Sequence, residues 1–135
     1  DRSEKIEKEI RLDSKEIIEK IKECGIVGLG GATFPTNVKL SPPPGKKAEF
    51  LIINGAECEP YLTSDYRVLI EMPEQVLIGA AIMMKALNVT QGFIGIEENK
   101  PEAIKVMTEK AKGYPQIKVV LNHLIQNKYY VYENE

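Results

Sequence analysis

Four stretches of this 135-residue chain hold residue types that could do chemistry. Gly25 to Gly31 carries four glycines in seven residues, a density that lets backbone N–H groups approach a flat ring or a phosphate with no Cβ in the way. Lys39 closely follows these glycines and could meet a phosphate, whereas Lys46 and Lys47 are read as solvated surface. Carboxylates and amides gather in Asn54-Gly55-Ala56-Glu57-Cys58-Glu59-Pro60 and again in Glu97-Glu98-Asn99-Lys100, with Asn122-His123 a third polar pair.

Each stretch has bland readings beside the sharp ones. The glycine cluster lacks the Gly-Lys-Ser/Thr of a P-loop, and it follows a helix where a Rossmann fingerprint follows a strand. By itself it is equally a tight structural turn. The acidic cluster is open to three readings: solubilising surface, a hard-metal site of oxygen ligands, or carboxylates that accept bonds from ribose hydroxyls or from a flavin or nicotinamide edge. Glu98, beside Asn99 and Lys100, is assigned to surface; of Glu57 and Glu59, at least one is expected to point inward. No nucleophile accompanies His123, so it is taken as a hydrogen-bonded loop residue. Two glutamates beside Cys58 would raise its thiol pKa, which argues against an activated thiolate.

Cys24 and Cys58 are the only cysteines. They are not spaced as a Cys-x-x-Cys pair, and with a single histidine they predict reduced thiols and no cysteine–histidine metal site. An iron–sulfur cluster would lack its four thiolates. Redox chemistry here would therefore need a bound organic cofactor. Eighteen Lys and Arg against 20 Asp and Glu give a formal charge of -2, with no basic stripe interleaved with aromatics, so nucleic acid is set aside as a partner. The longest apolar run, Val76 to Met84, is too short for a membrane span and the amino terminus is charged, which predicts a cytoplasmic chain.

The elements that must position these residues follow from periodicity. Residues 1–12 alternate charge and isoleucine without a clear cap and are read as an arm, a frayed helix or a chain edge; residues 13–135 are read as one domain. Asp13 with Glu16 forms a capping box before Ile17, Ile18 and Ile21, and Gly25 closes that helix. From Gly28 through Gly45, glycines and prolines predict ordered loop. Phe50–Ile53 reads as a buried strand, Pro73 to Leu87 as a helix ending at Asn88, and Gly92–Ile96 as a second strand. A helix opened by Asn99 and Pro101 and closed by Gly113 then leads to a third strand, Ile117–Leu121. Strand, helix, strand, helix, strand predicts the α/β class: a three-layer arrangement with a mostly parallel sheet, flanking helices and the Gly-rich loop at the strand carboxyl ends. Ligands of such sheets collect at that edge.

On these residues a resemblance can be stated. Gly25-Ile26-Val27-Gly28-Leu29-Gly30-Gly31-Ala32-Thr33-Phe34-Pro35-Thr36-Asn37-Val38-Lys39-Leu40-Ser41 resembles the flavin-loop signature of the C subunit of the Rnf complex, the membrane ferredoxin:NAD oxidoreductase. Leu51 to Thr63 and Ile94 to Ile104 are similar to that subunit in the same order and at similar spacing. The flavin- and NADH-binding subunit of respiratory complex I is a more distant likeness. The resemblance covers Ile17 to Leu121, a minority of such a subunit, whose β-grasp and iron–sulfur domains have no counterpart here, so the chain reads as a fragment. It departs from the family after Lys128, where Tyr129-Tyr130-Val131-Tyr132-Glu133 replaces the usual Tyr-Pro-Gln-Gly.

The resemblance implies sites for FMN and NAD(H). Gly28, Gly30, Gly31 and Lys39 would line the flavin and its phosphate, and Asn54, Glu57, Glu59 and Glu97 would contact the isoalloxazine or the nicotinamide. Ala56 stands where the complex I protein has an aspartate. It further implies hydride exchange between NAD(H) and flavin, and electron passage to iron–sulfur clusters outside these residues and to ferredoxin indirectly. The partners would be other subunits of a complex on the inner face of the bacterial membrane. With the departure at Tyr129 to Glu135, the resemblance predicts weak FMN binding and little activity for these residues alone. A cobalamin reductase of the propanediol-utilisation type shares much of the signature and is the alternative, as is a non-catalytic docking domain.

Overall fold

The computed structural model describes residues 9–29, 31–57 and 63–122. Helix α1 (Ser14–Glu23) starts as its sequence dictates. Asp13 accepts from the Glu16 backbone N–H at 2.9 Å, and the Glu16 carboxylate accepts from the Asp13 N–H at 2.8 Å. At its other end Gly25 takes φ +63°. The Gly25 N–H then reaches the Lys22 carbonyl and the Ile26 N–H the Ile21 carbonyl, a Schellman motif that only a left-handed residue permits cheaply.

Strands β1 (Leu51–Asn54), β2 (Gly92–Ile96) and β3 (Ile117–Leu121) pair in parallel, in the order β1-β2-β3. Leu51 lies opposite Gly92 and Gly92 opposite Ile117. The first strand starts one residue later than its apolar run predicts. Leu51 makes the opening ladder bond, to the Gln91 carbonyl, while the Phe50 ring instead meets Phe93 edge-on with centroids 5.9 Å apart. All five residues of β2 are buried, whereas Asn54 and Lys118 on its neighbours are exposed, as the central position requires.

Helices α4 (Pro73–Leu87) and α5 (Pro101–Ala111) make the two crossovers, and both cover one face of the sheet. Leu77, Ala80 and Met84 from α4 and Ala103 and Met107 from α5 close over Leu51, Ile94, Ile96 and Ile117. Leu77, Ile94, Ile96 and Met107 are fully enclosed; each such side chain contributes about 1.5–3 kcal/mol of burial. On the far side of α4, Ala86, Ile82 and Met83 pack against Ile17 and Ile21 of α1, with Leu40 completing that second cluster. Sheet, α4 with α5, and α1 thus stack as three layers. The α4 helix, sandwiched between two of them, is apolar on two sides for that reason. Asn88 ends it in the left-handed conformation, φ +55°.

Two helices depart from the sequence expectation. Thr36–Lys39 forms a single turn, α2, inside the stretch predicted as loop, because Pro35 in extended geometry is compatible with a helical start even though it donates nothing. Ser64–Glu71 forms α3, which no capping pattern in its own sequence announces.

Candidate functional site at the carboxyl edge of the sheet

The polar ends of β1 and β2 meet at one edge. Asn54 lies opposite Gly95, and the chain leaves β1 with the Gly55 N–H still bonded to the Gly95 carbonyl at 2.8 Å. Asn54 is exposed, but its carboxamide oxygen accepts from the Ala56 N–H at 3.1 Å. This closes a turn that aims Glu57 back toward the fold. One Glu57 oxygen, Oε1, accepts from the Asp65 N–H at 2.8 Å and from the Ser64 hydroxyl at 3.4 Å. Glu57 is therefore the cap of α3, satisfying amino-terminal donors that Thr63 leaves open. Its other oxygen, Oε2, is buried and has no hydrogen-bond partner among the described residues. A carboxylate oxygen in that state costs free energy until something donates to it.

Glu97 follows β2 at the same edge. It is half-buried, and its carbonyl accepts from the Lys100 N–H at 3.0 Å in the turn that starts α5. Glu98 is exposed, in keeping with its surface assignment. A clasp between α3 and α5 holds the two loops in place. The Tyr66 hydroxyl donates to Glu102 at 3.1 Å, and the Lys100 ammonium sits 4.8 Å from the centroid of the Tyr66 ring. Desolvation first, then the bond to Glu102, raises the Tyr66 phenol above its ordinary value, so it remains a neutral donor near pH 7. No motif in the sequence points to Tyr66 or Ser64, and Glu102 falls within the Ile94 to Ile104 resemblance without an assigned role.

The glycine loop emerges at the same end of the molecule. Ser14 at the start of α1 donates to the Ala86 carbonyl near the end of α4, while Cys24 and Ile26 share a cavity with Ile78. Helix α1 is thus antiparallel to α4, which itself runs back against the strands. The loop is closed by the Val27–Pro35 bridge, with Gly28 N–H to Phe34 carbonyl at 2.9 Å and Thr36 N–H to Ile26 carbonyl at 3.0 Å. Lys39 folds back onto it. Its ammonium lies 5.8 Å from the Phe34 centroid and 3.6 Å from where a Cβ on Gly28 would stand. Gly28 and Lys39 are thereby brought together, and the missing Gly28 side chain leaves the ammonium one uncrowded flank. Gly31 has φ +96°, which excludes other residues on conformational grounds. Lys46 and Lys47 are exposed.

Gly30, Cys58, Glu59 and His123 lie outside the described residues, as does the divergent Tyr129 to Glu135. Among the described residues one cavity, of about 860 Å³, is lined by Met84, Val89, Tyr114 and Ile117 near the amino ends of the strands; another, of about 440 Å³, lies between α1 and α4 and reaches Cys24 and Ile26 at the start of the glycine loop. No helix among the described residues is long and apolar enough to cross a membrane.

Residues 21–133 match the family model of the Nuo51 FMN-binding domain. The chain is 56% identical over 102 residues to the C subunit of the proton-translocating ferredoxin:NAD(+) oxidoreductase complex of Clostridium ljungdahlii, covering 76% of this chain and 22% of that one. It is 44% identical over 112 residues to the Na(+)-translocating counterpart of Acetobacterium woodii, covering 83% and 25%. It therefore spans about a quarter or less of these relatives. Among solved structures, an NAD+-reducing [NiFe]-hydrogenase in the H2-reduced state superimposes with a TM-score of 0.65 at 23% identity, over 81% of this chain and 21% of that one, a likeness of fold. A family match across most of the chain, together with the resemblance of its loops to the C subunit of the Rnf complex, leads to one conclusion: this chain belongs to the Nuo51 FMN-binding domain family.

Proposed function

We propose that residues 13–135 form the FMN- and NAD(H)-binding domain of the C subunit of an ion-translocating ferredoxin:NAD oxidoreductase, with residues 1–12 an arm or chain edge. The observation that carries this reading is Glu57 Oε2, buried and without a hydrogen-bond partner among the described residues, at the strand edge that also bears the glycine loop and Lys39. Such an oxygen needs a donor, and an isoalloxazine N–H or a nicotinamide carboxamide is a donor of the right kind. Bound flavin would supply the interconversion of two-electron and one-electron chemistry.

The chain's own groups divide the work. Lys39 offers its ammonium to a phosphate, beside Gly28 and Gly31 whose backbone can approach closely; Gly30 is assigned to the same lining. Glu57 fixes α3 with one oxygen and offers the other to the ring. Asn54 holds the turn that aims Glu57, keeping its amide N–H groups free of that bond. Glu97 and Glu59 are assigned to the isoalloxazine or nicotinamide. Electrons would leave toward iron–sulfur clusters and, indirectly, ferredoxin in the remainder of a membrane-peripheral complex on the cytoplasmic side.

The test is FMN titration of the protein as its gene encodes it, followed by NADH-dependent reduction of the bound flavin. Saturable FMN binding with NADH turnover supports the reading. A folded protein that binds neither would make this a docking domain, and turnover of corrinoid without any ferredoxin linkage would make it a cobalamin reductase. Within the same assay, Glu97→Gln should weaken nicotinamide binding or turnover several-fold while leaving the melting temperature nearly unchanged, since Glu97 is only half-buried and holds its turn through its backbone carbonyl. A lowered melting temperature with normal kinetics would make Glu97 structural instead.

A further inference from the structure

Four of the described left-handed residues are of the kinds that adopt that conformation cheaply: Gly25, Gly31 and Gly45 at φ +63°, +96° and +79°, and Asn88 at φ +55°. The fifth is Thr33, at φ +48°. A β-branched side chain in this region crowds its own backbone, and glycine would fill the same place without strain. The backbone closure beside it, Gly28 N–H to the Phe34 carbonyl, holds the loop in this shape, but among the described residues no contact of the Thr33 side chain offsets the strain. Thr33 is exposed, belongs to neither apolar cluster, and its hydroxyl has no hydrogen-bond partner among the described residues. A strained residue whose own side chain gains nothing within the described fold points to a role for that side chain outside the chain itself.

The position of Thr33 suggests what that role is. It directly precedes Phe34, whose carbonyl closes the loop on Gly28 and whose ring lies under the Lys39 ammonium. A hydroxyl at this rim stands on the same short loop as the cation and the open glycine backbone. We propose that Thr33 is a positioning residue of the flavin site, held in the left-handed conformation so that its hydroxyl donates a hydrogen bond to bound FMN, an acceptor-rich ligand, that a glycine could not make. This rests on the flavin reading above and adds to it a residue with a defined atom and donor role.

Thr33→Gly, Thr33→Val and Thr33→Ser separate the possibilities, each made in the protein as its gene encodes it and assayed by FMN titration and thermal melting. Glycine removes hydroxyl and strain together; valine removes the hydroxyl and keeps the branching; serine keeps the hydroxyl. The glycine and valine variants should each bind FMN roughly tenfold more weakly, the scale of one lost hydrogen bond, and serine should restore binding to within about threefold. The glycine variant should melt no lower than wild type, although an exposed Thr→Gly change at an ordinary position lowers stability. FMN binding by the glycine or valine variant equal to wild type would overturn the proposal, as would a glycine variant that melts well below wild type. If wild type itself binds no FMN, the flavin reading falls first and takes this with it; if wild type binds and all three variants bind equally, only the role of Thr33 falls.

Discussion

Gly55→Ala should lower the melting temperature by roughly 10–15 °C, a large loss for a single methyl group. A Cβ on Gly55 would stand 2.8 Å from the Gly95 carbonyl oxygen and 3.2 Å from Leu69 Cδ1. The first is backbone of the central strand, hydrogen-bonded into the sheet and unable to yield as a flexible side chain would. Relief requires β1 to separate from β2 at the point where the Gly55 N–H bonds that same carbonyl, so the methyl group adds overlap and weakens a buried hydrogen bond together. Overpacking of this kind costs about 1–3 kcal/mol, and the weakened bond adds about 1 kcal/mol. Gly79, inside α4 with nothing within 4 Å of its would-be Cβ, is the control. There alanine should add about 0.5–1 kcal/mol of stability, because a helical glycine gives up more chain freedom on folding. Chemical denaturation of both variants checks the pair, and a Gly55→Ala protein as stable as wild type would mean that the β1–β2 exit is looser than the 2.8 Å approach indicates.

Gly55 also marks the boundary between what the sequence makes legible and what it does not. The capping box at Asp13, the glycine after α1, Pro73, Asn88 and Pro101 are local signals that act within a turn of where they stand, so the elements they bound can be read directly. The apolar runs of β2 and β3 are legible to the residue for the same reason. Helix α3 is not, because its cap comes from Glu57, eight residues before Asp65, and no i, i+3 rule reaches that far. That Glu57 is a candidate for the site can be read from its neighbours; that one of its oxygens is committed to α3 cannot.

The glycine loop divides in the same way. Its composition reveals permissiveness, and the resemblance supplies a ligand, but composition does not distinguish which residues take positive φ. Gly28 does not require glycine on conformational grounds; Gly31 does; and Thr33 occupies a place where glycine would be expected. The resemblance assigns Asn54 to a ring contact. The structure turns its carboxamide oxygen to the Ala56 N–H, which makes its first task the shape of the loop that carries Glu57. Lys39 stands out in the sequence only by its closeness to the glycines, and the fold adds the reason: a single turn of helix swings it back over Phe34.

Lys39→Met should weaken FMN binding about ten- to a hundredfold, while riboflavin binding changes little. The ammonium is exposed, so its removal leaves no buried group unpaired, and its contact with the Phe34 ring is long enough to contribute little to folding. What it offers is a charge-assisted hydrogen bond to an anion, and losing such a bond costs about 1.5–3 kcal/mol. FMN and riboflavin differ by one phosphate. If Lys39 meets that phosphate, the whole loss must therefore appear in the difference between the two ligands and not in either ring contact. Ionic strength gives an independent reading, since screening weakens an exposed pair: wild-type affinity for FMN should fall as salt is raised, and the methionine variant should show a flatter dependence. Arginine at this position should recover much of the affinity, with its own geometry toward the oxygens. Equal loss of FMN and riboflavin would show that Lys39 supports the loop instead of the phosphate, and no loss of either would remove it from the site.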